Sequence, residues 1–269
     1  MDIPKFLDLV ISKNLWLSNA EVLAADDPYE GLPDAYYFPH RIWNSIDDLP
    51  KKIRDQIEFL YASEFPSKAE IFKNWYRLEE QMCLFKRFSR RQFYVNSWHA
   101  AQHESIAMWK IYASPGDGVA VITTGGRLTH SLDDASDDLH VGAVKYWTPG
   151  TFQVGSENIF SNLTVKRSSY SFEQEVRIVY WDNENFHDPL QGSVWNEETL
   201  RYENINENVN LPRAGRLIPC DINIMIEKVV ISPNSPSWYL PMIEKLIGEL
   251  GLKFPVMQSS LLQEPPIIK

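Results

Sequence analysis

The amino-acid sequence predicts a mixed α+β protein, with a split β-sheet core, flanking helices and a helical insertion at about residues 45–90. Three observations lead there. Strand-like and helix-like stretches alternate along the chain at the spacing of mixed domains. The stretch from Asp48 to Arg90 carries only helical periodicity. Finally, 269 residues, 44% of them hydrophobic, can bury a substantial core, and no internal repeat or low-complexity linker divides them, so residues 1–269 read as one domain.

Taken in order, Ile3, Phe6, Leu7, Val10 and Ile11 lie at helical spacing, with Asn14 as the expected stop before a short strand, Leu15-Trp16-Leu17. Asp26 to Gly31 reads as a carboxylate-rich turn, and Leu32 to Asn44 as irregular and aromatic. Asp48 is expected to cap a helix that has Pro50 in its first turn and runs to about Ser63. Pro66-Ser67 opens a longer helix to about Arg90, with Ile71, Trp75, Leu78, Met82 and Phe85 as its apolar stripe. Phe93 to Thr124 reads as a strand ending in Ser97-Trp98-His99, a helix opening at His103-Glu104-Ser105, a turn at Pro115 to Gly118, and a second strand. There follow a short helix at Arg127 to Leu132, an acidic loop at Asp133 to Asp138, a strand at Val141 to Trp147, a helix over residues 150–165 and a strand within Lys166 to Tyr180. Residues 182–213 read as a polar surface excursion or lid. The chain closes with strands near Arg216 to Pro219 and at Lys228 to Ser232, a helix from about Ser237 to Glu249 stopped by Gly251, and a strand at Phe254 to Met257.

Composition narrows the function. A formal charge of −10, from 36 acidic and 26 basic residues, argues against broad charge-driven binding of nucleic acid. The basic run from Lys86 to Arg91 reads as a helix end that complements the dipole. Cys83 and Cys220 are far apart and form no CxxC pair, which supports neither a disulfide framework nor a zinc cluster, so a cytoplasmic setting is expected. No apolar run approaches the roughly 18 residues of a membrane span, and no signal-peptide pattern opens the chain. Nine Trp, twelve Tyr and thirteen Phe exceed the needs of a minimal core, so some are expected to line a pocket.

Side chains alternate across a strand. Ser97 and His99 therefore share one face of the first strand, and Glu173, Glu175 and Arg177 share one face of the second, opposite Val176, Ile178 and Tyr180. A polar row backed by an apolar one suggests the wall of a cleft. Two carboxylates at i and i+2 raise one another's pKa, which suits one of them to proton transfer or to a sugar hydroxyl, while Arg177 opposes that shift. The structural counterpart is an exposed ladder of Glu and Arg. Other chemistries lack their patterns: there is no GxSxG elbow, no HExxH, no GxGxxG and no GxxxxGK[ST], and DDASDD lacks the spaced ligands of a calcium loop.

Several motifs in sequence resemble the family catalogued as domain of unknown function 2971. They are Leu15 to Ser18, Asp27 to Gly31, Ser97-Trp98-His99, Glu104-Ser105, Ala107 to Tyr112, Gly118 to Val121, Val144 to Tyr146, Lys166-Arg167, Phe172 to Arg177 and Val230 to Pro233. The resemblance implies a bacterial protein from mobile and phage-defence neighbourhoods, a toxin or defence effector with an antitoxin as one expected partner. The resemblance implies a short strand before the first helix, and the sequence opens at Met1-Asp2 as though that strand were missing or the start misplaced; any active-site residue it supplies would then be absent. A second, more distant resemblance is to ADP-ribosyltransferases, through Glu173-Gln174-Glu175, which is similar to their Glu-x-Glu strand, and Ser97, which is similar to their serine strand. It implies NAD as substrate, Glu175 as the catalytic carboxylate, Glu173 orienting the acceptor, and Ser97, Trp98, His99, Tyr112 and Arg177 around the cofactor.

The expected function is thus an ADP-ribosyltransferase-like effector that cleaves NAD and modifies an unknown acceptor, protein or nucleic acid. Two other readings stand beside it: a non-catalytic sensor or binding module, and a nuclease or other hydrolase working through Asp26, Asp27 and Glu30.

Overall fold

A computed structural model describes residues 1–32, 43–113, 116–133, 135, 139–148, 159–184, 186–209 and 211–263. The expected irregular stretch at Leu32 to Asn44, the loop at Asp133 to Asp138 and the helix over 150–165 lie wholly or largely outside them, as does Pro115 of the expected turn.

The fold is α+β. Helix Ile3–Ser12 begins at Asp2, whose carboxylate accepts from the Lys5 N–H, and ends at Lys13 in the left-handed conformation. Lys13, not Asn14, is thus the stop, and strand β1 (Asn14–Asn19) starts at once. The remaining strands are β2 (Phe93–His99), β3 (Val119–Ile122), β4 (Leu139–Ala143), β5 (Lys145–Trp147), β6 (Val165–Arg167), β7 (Glu175–Trp181), β8 (Val194–Asn196), β9 (Arg201–Glu203), β10 (Gly215–Pro219), β11 (Lys228–Ile231) and β12 (Val256–Gln258). An antiparallel five-stranded sheet has the order β10-β1-β2-β7-β4, and a mixed three-stranded sheet the order β12-β11-β3. Two two-stranded ladders, β5-β6 and β8-β9, complete the strands among the described residues.

The main core lies on one face of the larger sheet. Leu15 and Leu17 of β1, Tyr94 of β2, Ile178 and Tyr180 of β7 and Ile218 of β10 meet Phe6 and Leu9 of the first helix, Val229 and Ile231 of β11, and Ile243 and Ile247 of helix Tyr239–Glu249. On the opposite face Phe93, Val95 and Val179 pack with Ala20 and Leu163 in a smaller cluster. Direct pairing of Val95 with Val179, Ser97 with Arg177 and His99 with Glu175 continues that face from apolar to polar within four residues of each strand.

Helices Lys51–Tyr61 and Lys68–Ser89 form a third core of their own, built on Ile46, Ile57, Ile71, Phe72, Trp75 and Tyr76, with Trp195 of β8 packed against it. Two expectations shift here. Asp48 does not cap the first of these helices; its carboxylate accepts from the backbone of Asn44 and Ser45, and Pro50 stands at the cap position. In the longer helix, which Ser67 caps through the Glu70 N–H, Ile71 and Trp75 of the expected stripe are buried, but the buried face also takes in Phe72, Tyr76, Cys83, Leu84 and Phe88, while Met82 is exposed. Both faces of this helix carry aromatics, so periodicity alone does not choose between them. Of the basic run at its end, Lys86 and Arg87 lie in the last turn as expected, while Arg91 donates to Glu21, Glu207 and Val209, and Arg90 to the Glu30 carbonyl.

The expected strand at Val141 to Trp147 divides at Val144, where the chain leaves the β7 edge, donating its N–H to the Glu175 carbonyl, and pairs with β6 instead. The edge near Gly215 is tightly closed. A Cβ there would meet the Trp16 ring at 2.2 Å and the Leu17 carbonyl at 2.6 Å. Because backbone cannot yield as a side chain can, Gly215→Ala is expected to cost about 1–3 kcal/mol. Chemical denaturation checks this, and an unchanged midpoint would contradict it.

Candidate active site

A cavity of about 270 Å³ opens on the polar end of that second sheet face. Strand β2 delivers Ser97 and His99 to it, strand β7 Glu175 and Arg177, and the turn after β1 Asp26, Asp27 and Glu30. Helix Ile106–Tyr112, capped by Ser105, brings Met108 and Tyr112 across its mouth. The fourth wall is the segment from β6 to β7, with Lys166, Tyr170 and Glu173.

That last segment is not the continuous strand the sequence predicts. Ser168–Glu173 form a 3-10 helix, Gln174 takes a left-handed φ of 42°, and only then does β7 begin. Glu173 and Glu175 therefore do not share a strand face; the turn at Gln174 nonetheless brings both carboxylates onto one ammonium. Lys166 Nζ donates to Glu173 Oε2 at 2.5 Å and to Glu175 Oε1 at 2.6 Å, and stands 4.6 Å from the centre of the Tyr170 ring. Tyr112 donates its hydroxyl to Glu173 Oε1 at 2.6 Å, and Ser97 Oγ donates to Glu175 Oε2 at 2.8 Å. The Glu175 N–H is itself held by the Tyr146 hydroxyl at 2.8 Å.

Behind this row sits Arg177, 1% exposed. Its Nε donates to Glu175 Oε2 at 2.6 Å, its two terminal nitrogens grip Glu30 Oε1 and Oε2 at 2.5 and 3.0 Å, and Nη1 also reaches the Leu163 carbonyl at 2.8 Å. So arranged, Arg177 lines the cavity with every guanidinium nitrogen already engaged by the protein itself. It acts from beneath, as the fixed positive charge that orients Glu175 and Glu30. Beside it Arg167 holds Asp27 Oδ1 at 2.7 Å and lies over the ring of Tyr29, while Asp27 Oδ2 is buried with no hydrogen-bond partner among the described residues.

Titration of the two central glutamates is driven apart. Burial pushes Glu173 up, and its hydrogen bond with Glu175 adds to that. Burial acts on Glu175 in the same sense, but Arg177, with Glu173 and Lys166, overcomes it and holds the Glu175 carboxyl far below the usual range. Such a divided pair sets one firmly ionised carboxylate beside one that is protonated more readily. A pH prediction follows. The contribution of Glu175, whose folded value is depressed, is present above the unfolded value of about 4.3 and is lost as pH falls towards the folded one. Glu173, whose folded value is raised, contributes in the opposite sense, stabilising below its unfolded value and losing that as pH rises through the folded one. Denaturation midpoints should therefore hold steady or rise slightly on acidification to about pH 5 and fall below about pH 4. Glu175→Gln should flatten that acid fall, and an equally steep fall would contradict the assignment.

All seven residues that the sequence singles out line this one cavity: Ser97, Trp98, His99, Tyr112, Glu173, Glu175 and Arg177. Trp98 also packs against the main core from the other side of β2. Asp27 and Glu30, read first as turn chemistry, join the site. Lys166, Tyr146 and Tyr170 were not expected as site residues. The signal for Lys166 was local, a basic pair followed within nine residues by two glutamates in a chain otherwise short of positive charge. Ser97 gives its proton to Glu175 and not to His99, so no serine–histidine dyad forms. Among the described residues no group of three or more His, Cys, Asp or Glu side chains is placed to hold a metal ion, and no helix is long and apolar enough to cross a membrane.

Compared with protein-family models, with curated proteins and with solved structures, the chain finds no match. Function is therefore read from the chemistry of the site itself.

Proposed function

We propose that this cavity cleaves the nicotinamide–ribose bond of NAD and passes the ADP-ribosyl group to an acceptor. The observation that carries the reading is charge. Five carboxylates line the cavity, Asp26, Asp27, Glu30, Glu173 and Glu175, against two cations, Lys166 and Arg177. A small acidic pocket suits a cationic group such as the nicotinamide ring and repels phosphate. Its volume lies just under the usual range of about 300–1,000 Å³ for small-molecule sites, enough for a base and one sugar ring, with the diphosphate left outside. Glu175, fixed as an anion by Arg177, is suited to stabilise the positive charge that develops on the ribose as the bond breaks. Glu173, with its raised pKa and its hydroxyl neighbour Tyr112, is suited to orient the acceptor. The effector role is proposed on the motifs that resemble domain of unknown function 2971, and the acidic cavity supports the chemistry.

This charge argument has its own test. The oxidised dinucleotide carries a pyridinium that the reduced form lacks, so calorimetry should find NAD bound at least about tenfold more tightly than NADH, a difference of about 1.4 kcal/mol. Equal affinities would contradict it.

A second reading, a non-catalytic binding module, is favoured by one observation: both oxygens of Glu175 are already occupied, by Lys166 on one side and by Ser97 and Arg177 on the other. Under it, NAD binds and no nicotinamide is released.

A further inference from the structure

We infer that His99, beyond any part in placing NAD, is the base that takes the proton of the acceptor as the ribosyl group is transferred. The inference rests on the proposed NAD chemistry and assigns a step that the two glutamates leave uncovered.

His99 Nδ1 lies 2.6 Å from the backbone carbonyl oxygen of Glu173. A carbonyl only accepts, so Nδ1 carries the hydrogen and donates it. In the neutral ring the lone pair is then on Nε2. That nitrogen has no hydrogen-bond partner among the described residues, and the ring lines the cavity, half-buried. The same peptide segment that fixes the ring carries the Glu173 carboxylate, so the base and the acceptor-orienting group are held by one turn. Strand pairing of His99 with Glu175 places the ring across from the anion that steadies the ribose.

The neighbouring carboxylates are poor substitutes. Glu175 is kept ionised by strong partners and is a weak base, and both oxygens of Glu173 are engaged, by Tyr112 and Lys166. His99, by contrast, offers an open acceptor nitrogen beside them, and the proton can pass to it.

The step balances as follows. The C–N bond from ribose C1 to nicotinamide breaks, and its electron pair goes to the ring nitrogen, which loses its positive charge. An acceptor hydroxyl, water in the simplest case, forms the new C–O bond with an oxygen lone pair. Its proton passes to His99 Nε2. The resulting imidazolium keeps its Nδ1 hydrogen bond to the Glu173 carbonyl and returns the proton to solvent.

Two variants test this, because an asparagine amide can replace the Nδ1 donor without replacing the base. His99→Asn should keep its melting temperature, yet lose roughly 100-fold in nicotinamide release at saturating NAD. His99→Ala should lose at least as much and recover turnover in proportion to added imidazole. The step is overturned alone if the wild type releases nicotinamide and His99→Asn does so equally well, or if imidazole restores nothing to His99→Ala. It is overturned together with the NAD reading if the wild type releases none. Nitrogen-15 shifts of the ligand-free protein add a readout independent of turnover: protonated Nδ1 and bare Nε2 are expected in the neutral ring, and the reverse tautomer overturns the assignment.

Discussion

Glu175→Gln should lower the rate of nicotinamide release by at least about 100-fold, on the scale of 3 kcal/mol of transition-state stabilisation. Glutamine keeps the size of the side chain and one oxygen for Ser97 and Arg177, but removes the charge that faces the ribose as the glycosidic bond opens. The loss should appear in the rate at saturation, since a carboxylate that meets developing charge acts on the transition state more than on bound substrate. The measurement is steady-state nicotinamide release on protein whose folding has been checked by circular dichroism. A variant with unchanged turnover would show that Glu175 is a structural member of the ion-pair network and nothing more. Glu173→Gln separates the two roles: it should impair transfer to the acceptor more than cleavage itself.

Arg177→Met is the largest expected change in stability. Arg177 is 1% exposed and its guanidinium holds Glu30 and Glu175, themselves 3% and 7% exposed. Without it those carboxylates remain buried with their principal cation gone, and removal of one partner from a buried ionic cluster typically costs about 3–5 kcal/mol. The burden falls chiefly on Glu30, because Glu175 keeps Lys166 and Ser97. Glu30→Gln introduced into Arg177→Met should therefore recover part of the loss, which a double-mutant cycle in urea would detect. Arg177→Lys should recover less, since an ammonium cannot make the paired contact to Glu30 and the Nε contact to Glu175 together. A loss under about 1 kcal/mol for Arg177→Met would contradict a buried, jointly satisfied cluster.

Much of this site was legible in the sequence because it depends on strand alternation. Ser97 and His99 were placed on one face by period alone, and so were Glu175 and Arg177; pairing of β2 with β7 then set the two rows against each other. Period failed at Glu173. A left-handed residue, Gln174, without the glycine or asparagine that usually announces one, ended the alternation there. Lys166 was hidden for a related reason. Its value lies in a return of the chain through a 3-10 turn, and such turns carry weak sequence signals. Asp27 and Glu30 were visible as a turn, but their partners, Arg167 and Arg177, are about 140 residues away along the chain, and distant ion pairs leave no mark on local pattern. In the fold, helix periodicity found the elements of the insertion and the buried Ile71 and Trp75 of the Lys68–Ser89 helix, but it missed Phe72, Tyr76, Leu84 and Phe88 and wrongly included Met82, since aromatic residues occur on both sides.

The central claim is that the acidic cavity breaks the bond between nicotinamide and ribose. The most direct measurement is chromatographic detection of free nicotinamide after incubation of NAD with the purified wild-type protein, with and without cell lysate as a source of acceptor. The account predicts nicotinamide and a matching amount of ADP-ribose, free or attached to an acceptor, both lost in Glu175→Gln. No nicotinamide under either condition, with NAD bound or unbound by calorimetry, would contradict it.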